Sequence, residues 1–195
     1  MIEFNEGKHE YRNESGMIIP SVTQIMKAAG FVFFQGPDSE RSMDLGRKVH
    51  KTCELYDLNN LDEDLLDPIL RAYLASWEKF LEDFKFKIKA VEGRVYSKKY
   101  GFAGTFDRIG VLGGVNTIID IKTNNPGPFT AIQTAGYALA YNENVKSDKK
   151  KVVQRASVIL ESSGKYKYRA YSSPQDEKVF LGCLNIYNWR VKNGK

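Results

Sequence analysis

The sequence predicts a mixed α/β fold, a central sheet flanked by helices, in a single domain over residues 1–195 with a helical N-terminal portion over about 20–84. Three observations predict it. Apolar residues recur at helical spacing before Phe84. From Phe84 onward the period changes to two, as in strands. A further helical stretch then separates the third strand of that sheet from the fourth.

Each element has its own local reason. Residues 2–19 read as a short hairpin with Gly16 near its turn. Ser21 starts a helix, because Ser21-x-x-Gln24 has capping-box spacing and Gly30 sits where a C-terminal glycine belongs. Residues 39–58 read as a longer helix with Leu45, Val49, Cys53 and Tyr56 on one apolar stripe. Asp67-Pro68 opens another helix, running to about Phe84, with the proline at its first position. Phe84, Phe86 and Ile88 then alternate with Lys85, Lys87 and Lys89, so that the three lysines line one strand face. A strand to about Ser97, a turn over 98–101 and a strand over 102–112 form a hairpin. Gly113-Gly114 turns the chain into a third strand, which carries Asp120. A helix over about 128–141, a charged loop over 146–151, strands near 152–161 and 165–171, and a helix from Ser173-Pro174-x-Asp176 to near Asn193-Gly194 complete the chain.

Composition narrows the function classes. Hydrophobic content of 42% and charged content of 27% are ordinary for a globular chain. No apolar run approaches the roughly 18 residues of a membrane span, and no membrane role is expected. The segment MIEFNEGKHE has neither a signal peptide's apolar centre nor a transit peptide's Arg-rich character, and Cys53 and Cys183 make no disulfide framework. A reducing cytoplasm, of a bacterium or a phage-infected host, is the expected location. The net charge of +5 and the pI of about 9.0 are compatible with an anionic partner.

The stretch TIIDIKTN, residues 117–124, carries the chemistry. Asp120 and Lys122 lie among Ile118, Ile119 and Ile121, and strand alternation puts the acid and the amine on one face. Burying both is costly unless a metal or a reacting ligand holds them. A second acid, Asp107, stands thirteen residues earlier in GTFDRIG. Two carboxylates and a lysine on adjoining strands suit a hard divalent ion, Mg²⁺ or Mn²⁺, that attacks phosphodiesters.

Four elements stand in order: Gly46-Arg47-Lys48-Val49-His50 on the second helix, Gly104-Thr105-Phe106-Asp107, Asp120-Ile121-Lys122, and Gln133-Thr134-Ala135-Gly136-Tyr137 on the helix after it. Together they resemble the RecB-type branch of the PD-(D/E)xK nuclease superfamily, with its helical histidine, GxxD, D/E-x-K and QxxxY. Ile19-Pro20-Ser21-Val22-Thr23-Gln24-Ile25 resembles the PSVT-type segment of phage and mitochondrial genome-maintenance exonucleases. The resemblance covers about residues 11–141.

What it implies is specific. The fold is restriction-endonuclease-like. Asp107, Asp120 and Lys122 are the catalytic set, and His50, Asp107, Asp120 and Ile121 the metal ligands. Gln133 and Tyr137, one turn apart, help place the DNA strand, with Arg47, Lys98 and Lys99 as further nucleic-acid contacts. Glu54, at i+4 from His50, holds that histidine's tautomer, reaches the metal through water, or is simply solvated. Glu92 reads first as an exposed strand charge, otherwise as an acid for a second metal. Phe31, Phe33 and Phe34 stack on bases or, more in keeping with their type, pack a core. Some relatives hold an iron–sulfur cluster with four cysteines; two cysteines cannot, so no iron–sulfur cluster is expected.

The functional expectation is a metal-dependent DNA exonuclease acting on single strands or duplex ends in recombination, repair or replication, alongside a protein partner from that machinery. The alternatives are a structure-specific endonuclease of the same fold and a catalytically silent nucleic-acid-binding protein.

Overall fold

A computed structural model describes residues 2–5, 7–8, 10–31, 39–123 and 125–194. Phe33 and Phe34 lie outside the described residues. The N-terminal segment forms a three-stranded antiparallel sheet, β1 (Glu3–Asn5), β2 (Glu10–Arg12) and β3 (Ile18–Ile19), one strand more than a hairpin. Helix α1 (Val22–Ala28) starts at a reciprocal cap: the Gln24 N–H donates to Ser21 Oγ at 3.1 Å, and the Ser21 N–H donates to Gln24 Oε1 at 2.8 Å. Helix α2 (Ser39–Asp57) follows. Helix α3 (Pro68–Phe84) is capped by Asp67, whose carboxylate accepts the Ile69 N–H at 2.8 Å, and it ends at Lys85 in the left-handed conformation. Lys85 thus closes a helix instead of lining a strand face, and Lys89 Nζ is spent on Asn116 Oδ1 at 2.7 Å.

The main sheet has the order β4 (Lys87–Ser97), β5 (Phe102–Leu112), β6 (Val115–Lys122), β7 (Gln154–Leu160), β8 (Tyr166–Tyr171). Gly113 and Gly114 both have positive φ, 57° and 87°, the conformation a tight two-residue hairpin requires. The β6–β7 pair is parallel, and α4 (Phe129–Glu143) makes the crossover; the other pairs are antiparallel. Helix α5 (Gln175–Lys192) closes the chain against α4 and α1.

The sheet divides two cores. On one face Val22, Ile25, Phe102, Phe106, Ile118 and Phe180 pack together. On the other, Val49, Leu74, Trp77, Phe80, Ile119 and Ile121 do. Ile118 and Ile119 are neighbours in sequence and point to opposite cores, which is why this strand reads as a continuous apolar run. Phe31 packs against the first core, and Tyr166 and Tyr168 against Phe80 and Phe84 below the second. The sheet with its flanking helices bears out the expected α/β class.

Candidate active site

The site grows from a parting of two strands. β5 and β6 are paired from Leu112↔Val115 as far as Arg108↔Ile119. One step further, where Asp107 and Asp120 would face each other, the ladder stops. The Asp107 carboxylate enters the gap and accepts the Ile121 N–H through Oδ2 at 2.6 Å. On the other side of β5, Glu92 stands in the row opposite Asp107, between the pairs Val91↔Arg108 and Gly93↔Phe106. Three acids from three strands therefore occupy one row.

Helix α2 brings His50 over this row, with Nδ1 at 3.6 Å from Asp107 Oδ2. Ligand atoms of His50, Glu92 and Asp107 all lie within 4.8 Å of one another, and each residue is only partly covered. Asp120 is more deeply placed, 3% exposed, and is held by Lys122, whose Nζ lies 2.7 Å from Oδ2. The Ser157 hydroxyl approaches Asp120 Oδ2 at 3.4 Å and shares a 2.9 Å hydrogen bond with the Tyr171 hydroxyl.

The electrostatics follow from burial and crowding. Burial first, then the charge of Asp107, push Glu92 up to about 8. Burial raises Asp120 as well, against the opposing pull of Lys122. Burial alone would lower Lys122, but Asp120 and then Asp107 outweigh it, so the ammonium is held above its ordinary value and stays charged. Acids that resist ionising together, beside an imidazole, form a place that a divalent cation suits. Two carboxylates and one histidine are a donor set that a divalent metal ion suits.

Several sequence expectations find a different place. Glu92 is no exposed strand charge; it belongs to the cluster. Glu54 is engaged by Lys51 at 3.0 Å and stands outside that cluster. Gln133 donates to the Tyr137 hydroxyl at 3.0 Å as the i,i+4 spacing required, yet both are buried, 8% and 6% exposed. That placement suits bracing β5 and β6 more than open contact with a DNA strand. It also accounts for the glycine of GTFD: a Cβ on Gly104 would lie 2.6 Å from a Tyr137 ring carbon. Arg47 is exposed beside Asp44, and Lys98 and Lys99 are exposed in the β4–β5 turn, five or more residues beyond Glu92 and so at least ~17 Å along the strand. Ile121 meets the site through its backbone N–H.

One buried hydrogen-bond network was missed from sequence. Arg108, 0% exposed, donates to Glu92, to Asp57 on α2 and to the carbonyl of Asp107. A basic residue directly after the site acid was the available signal.

Residues 24–185 match the PD-(D/E)XK nuclease superfamily. The chain belongs to that superfamily. Nucleases of this superfamily use divalent metal ions, in keeping with the His50–Glu92–Asp107 cluster. A candidate exonuclease from Eubacterium rectale is similar in fold, with 12% identity, coverage of 92% of this chain and 76% of that one, and a TM-score of 0.50. A phage-related exonuclease from Haemophilus somnus 129PT aligns over 91% of this chain and 96% of its own at 10% identity and a TM-score of 0.43. An alkaline exonuclease from Laribacter hongkongensis aligns over 89% and 92% at 13% identity and a TM-score of 0.33. No curated protein matches the chain. The restriction-endonuclease-like fold is thus the PD-(D/E)XK one.

Proposed function

We propose that this protein is a metal-dependent DNA exonuclease. The observation that carries the reading is the meeting of His50, Glu92 and Asp107 beside the Asp120–Lys122 pair, at the parting of β5 and β6, in a chain of a nuclease superfamily.

In this reading His50, Glu92 and Asp107 hold Mg²⁺ or Mn²⁺, and Asp120 and the backbone of Ile121 border the same site. A bound divalent ion supplies Lewis-acid polarisation of a phosphate and a lowered pKa for water. The chain's own residues do the rest. Lys122, fixed by Asp120 at 2.7 Å and held charged, orients the attacking water and stabilises charge growing on the phosphorus oxygens. Asp120 positions that ammonium and is itself held by Ser157. Asp107 keeps the two strands at working distance through the Ile121 N–H. Exposed lysines, Lys98 and Lys99 among them, would hold the phosphodiester backbone without reading bases.

The exonuclease part is supported by the shared fold with the Eubacterium rectale protein and by the resemblance of the QxxxY and PSVT-type segments. On that same resemblance the reading extends to DNA recombination, repair or replication in bacterial or phage cytoplasm. The test compares linear and covalently closed circular single-stranded DNA of one sequence, with Mn²⁺ and with excess EDTA. The linear form should shorten, the circle should persist, and EDTA should stop the reaction. Rapid cutting of the circle would establish a structure-specific endonuclease instead, and binding without cleavage in any divalent ion a silent binding protein.

A further inference from the structure

The Glu92 backbone has φ +46°, a left-handed conformation that L residues rarely adopt in a strand. Such a conformation costs on the order of 1–3 kcal/mol and persists only where the surroundings over-determine it. The surroundings here are a chain of hydrogen bonds behind the site. Arg108 Nη1 donates to Glu92 Oε1 at 3.0 Å and to the Asp107 carbonyl at 2.6 Å. Arg108 Nε donates to Asp57 Oδ2 at 2.5 Å. Asp57 Oδ1 accepts the Trp77 indole N–H at 2.9 Å. Arg108 and Asp57 side chains are 0% and 1% exposed, and the guanidinium lies over the Trp77 ring, 5.8 Å from its centroid.

The placement of these residues is systematic. Asp57 lies on α2 seven residues after His50, about two helical turns, so one helix face delivers the histidine directly and Glu92 through Arg108. Trp77 ties the same assembly to α3. A bidentate link to Asp57 would already balance the charge of Arg108; instead Nη1 is shared between Glu92 and the backbone of Asp107, and Nη2 has no hydrogen-bond partner among the described residues. Only a planar fork of fixed geometry reaches Asp57, Glu92 and Asp107 together, which a lysine cannot do.

We propose that Arg108, braced by Asp57 and Trp77, is the positioning residue that holds Glu92 in ligating geometry toward His50 and Asp107. It does not touch the ion or the DNA; it acts through Glu92. This rests on the reading of His50, Glu92 and Asp107 as a metal site. Arg108 fixes one Glu92 oxygen and leaves the other for the ion, as groups behind metal ligands commonly do; losing such support typically weakens metal binding by about 10- to 100-fold.

The test is a double-mutant cycle read by calorimetric titration of the full chain with Mn²⁺ alone, no DNA present. Arg108→Lys should weaken Mn²⁺ binding about 10- to 100-fold in the parent and have almost no further effect in Glu92→Ala protein, because the oxygen that Arg108 holds is gone. If Arg108→Lys does not fold, Asp57→Asn, which keeps an acceptor for Trp77, takes its place with the same expectation. Equal losses in both backgrounds would show a purely structural ion pair and overturn the inference, as would an unchanged affinity in folded Arg108→Lys protein. Unchanged binding in Glu92→Ala protein would instead remove Glu92 from the metal site, and with it the inference.

Discussion

Asp107 takes the backbone N–H of Ile121 at 2.6 Å, and in doing so its side chain stands in for a missing rung of the sheet. Ile121 is fully buried, so that N–H has no recourse to bulk water if the carboxylate is removed. Asp107→Ala should therefore lose activity and also about 1–3 kcal/mol of stability. Asp107→Asn keeps an acceptor for Ile121 but not the charge, so it should melt near the parent while activity disappears. Chemical denaturation and nuclease assay of both variants check this; an asparagine variant that is destabilised as much as the alanine one would refute the bridging role.

Lys122 should matter for turnover and little for DNA affinity. It sits on Asp120 at 2.7 Å, away from the exposed lysines that offer backbone contacts. Lys122→Ala should lower kcat by on the order of 10²–10³-fold, the usual cost of one preorganised charge donor, with Kd for DNA in Ca²⁺ close to the parent's. Folded Lys122→Ala protein that digests DNA at the parent rate would sink the assignment.

Metal binding and stability should respond to pH in opposite senses. Burial and then Asp107 push Glu92 up to about 8 from an ordinary 4.5. Between those values the folded, metal-free protein holds a proton that the unfolded chain has released. Its stability from this group is therefore complete below 4.5 and is lost as pH rises through about 8. A ligating carboxylate must ionise, so Mn²⁺ affinity should climb with pH toward about 8, by up to about tenfold per unit, and level off above it. Thermal melts and Mn²⁺ titrations between about pH 6.5 and pH 9 test both slopes. Glu92→Gln should flatten them; equally steep slopes in that variant would assign the proton elsewhere.

Purified protein should be colourless. Cys53 is packed in the core around Trp77 and Cys183 in the core around Phe180, on opposite faces of the sheet, so they cannot share one cofactor. Stoichiometric iron and acid-labile sulfide in an anaerobic preparation would contradict this.

Most of the scaffold was legible because its signals are local. The Ser21–Gln24 cap, Pro68, the Gly113-Gly114 turn and the change of period at Phe84 each decide a boundary within a few residues. The meeting of Asp120 with Lys122 was legible through strand alternation, and that of His50 with Asp107 through the resemblance. Glu92 was not, because its reach into the site depends on a left-handed backbone that nothing in VEGRVYS announces and on an arginine sixteen residues away. The Asp57–Arg108 pair spans 51 residues, and no periodicity encodes such a contact. Lys85 misled because one residue of left-handed backbone ends a helix where alternation had suggested a strand.

The contact of Gly104 with the Tyr137 ring constrains how this chain can change over generations. A methyl group at 104 would strike the ring at 2.6 Å and Val22 at 3.3 Å, an overpacking that costs roughly 1–3 kcal/mol. Trimming Tyr137 first would make room but leave a void in a buried position, at roughly 3–5 kcal/mol for a large aromatic side chain. Either order of replacement passes through a weakened ancestor. The glycine of one motif and the tyrosine of the other, more than thirty positions apart in the chain, therefore constrain each other, and neither can be replaced alone without cost.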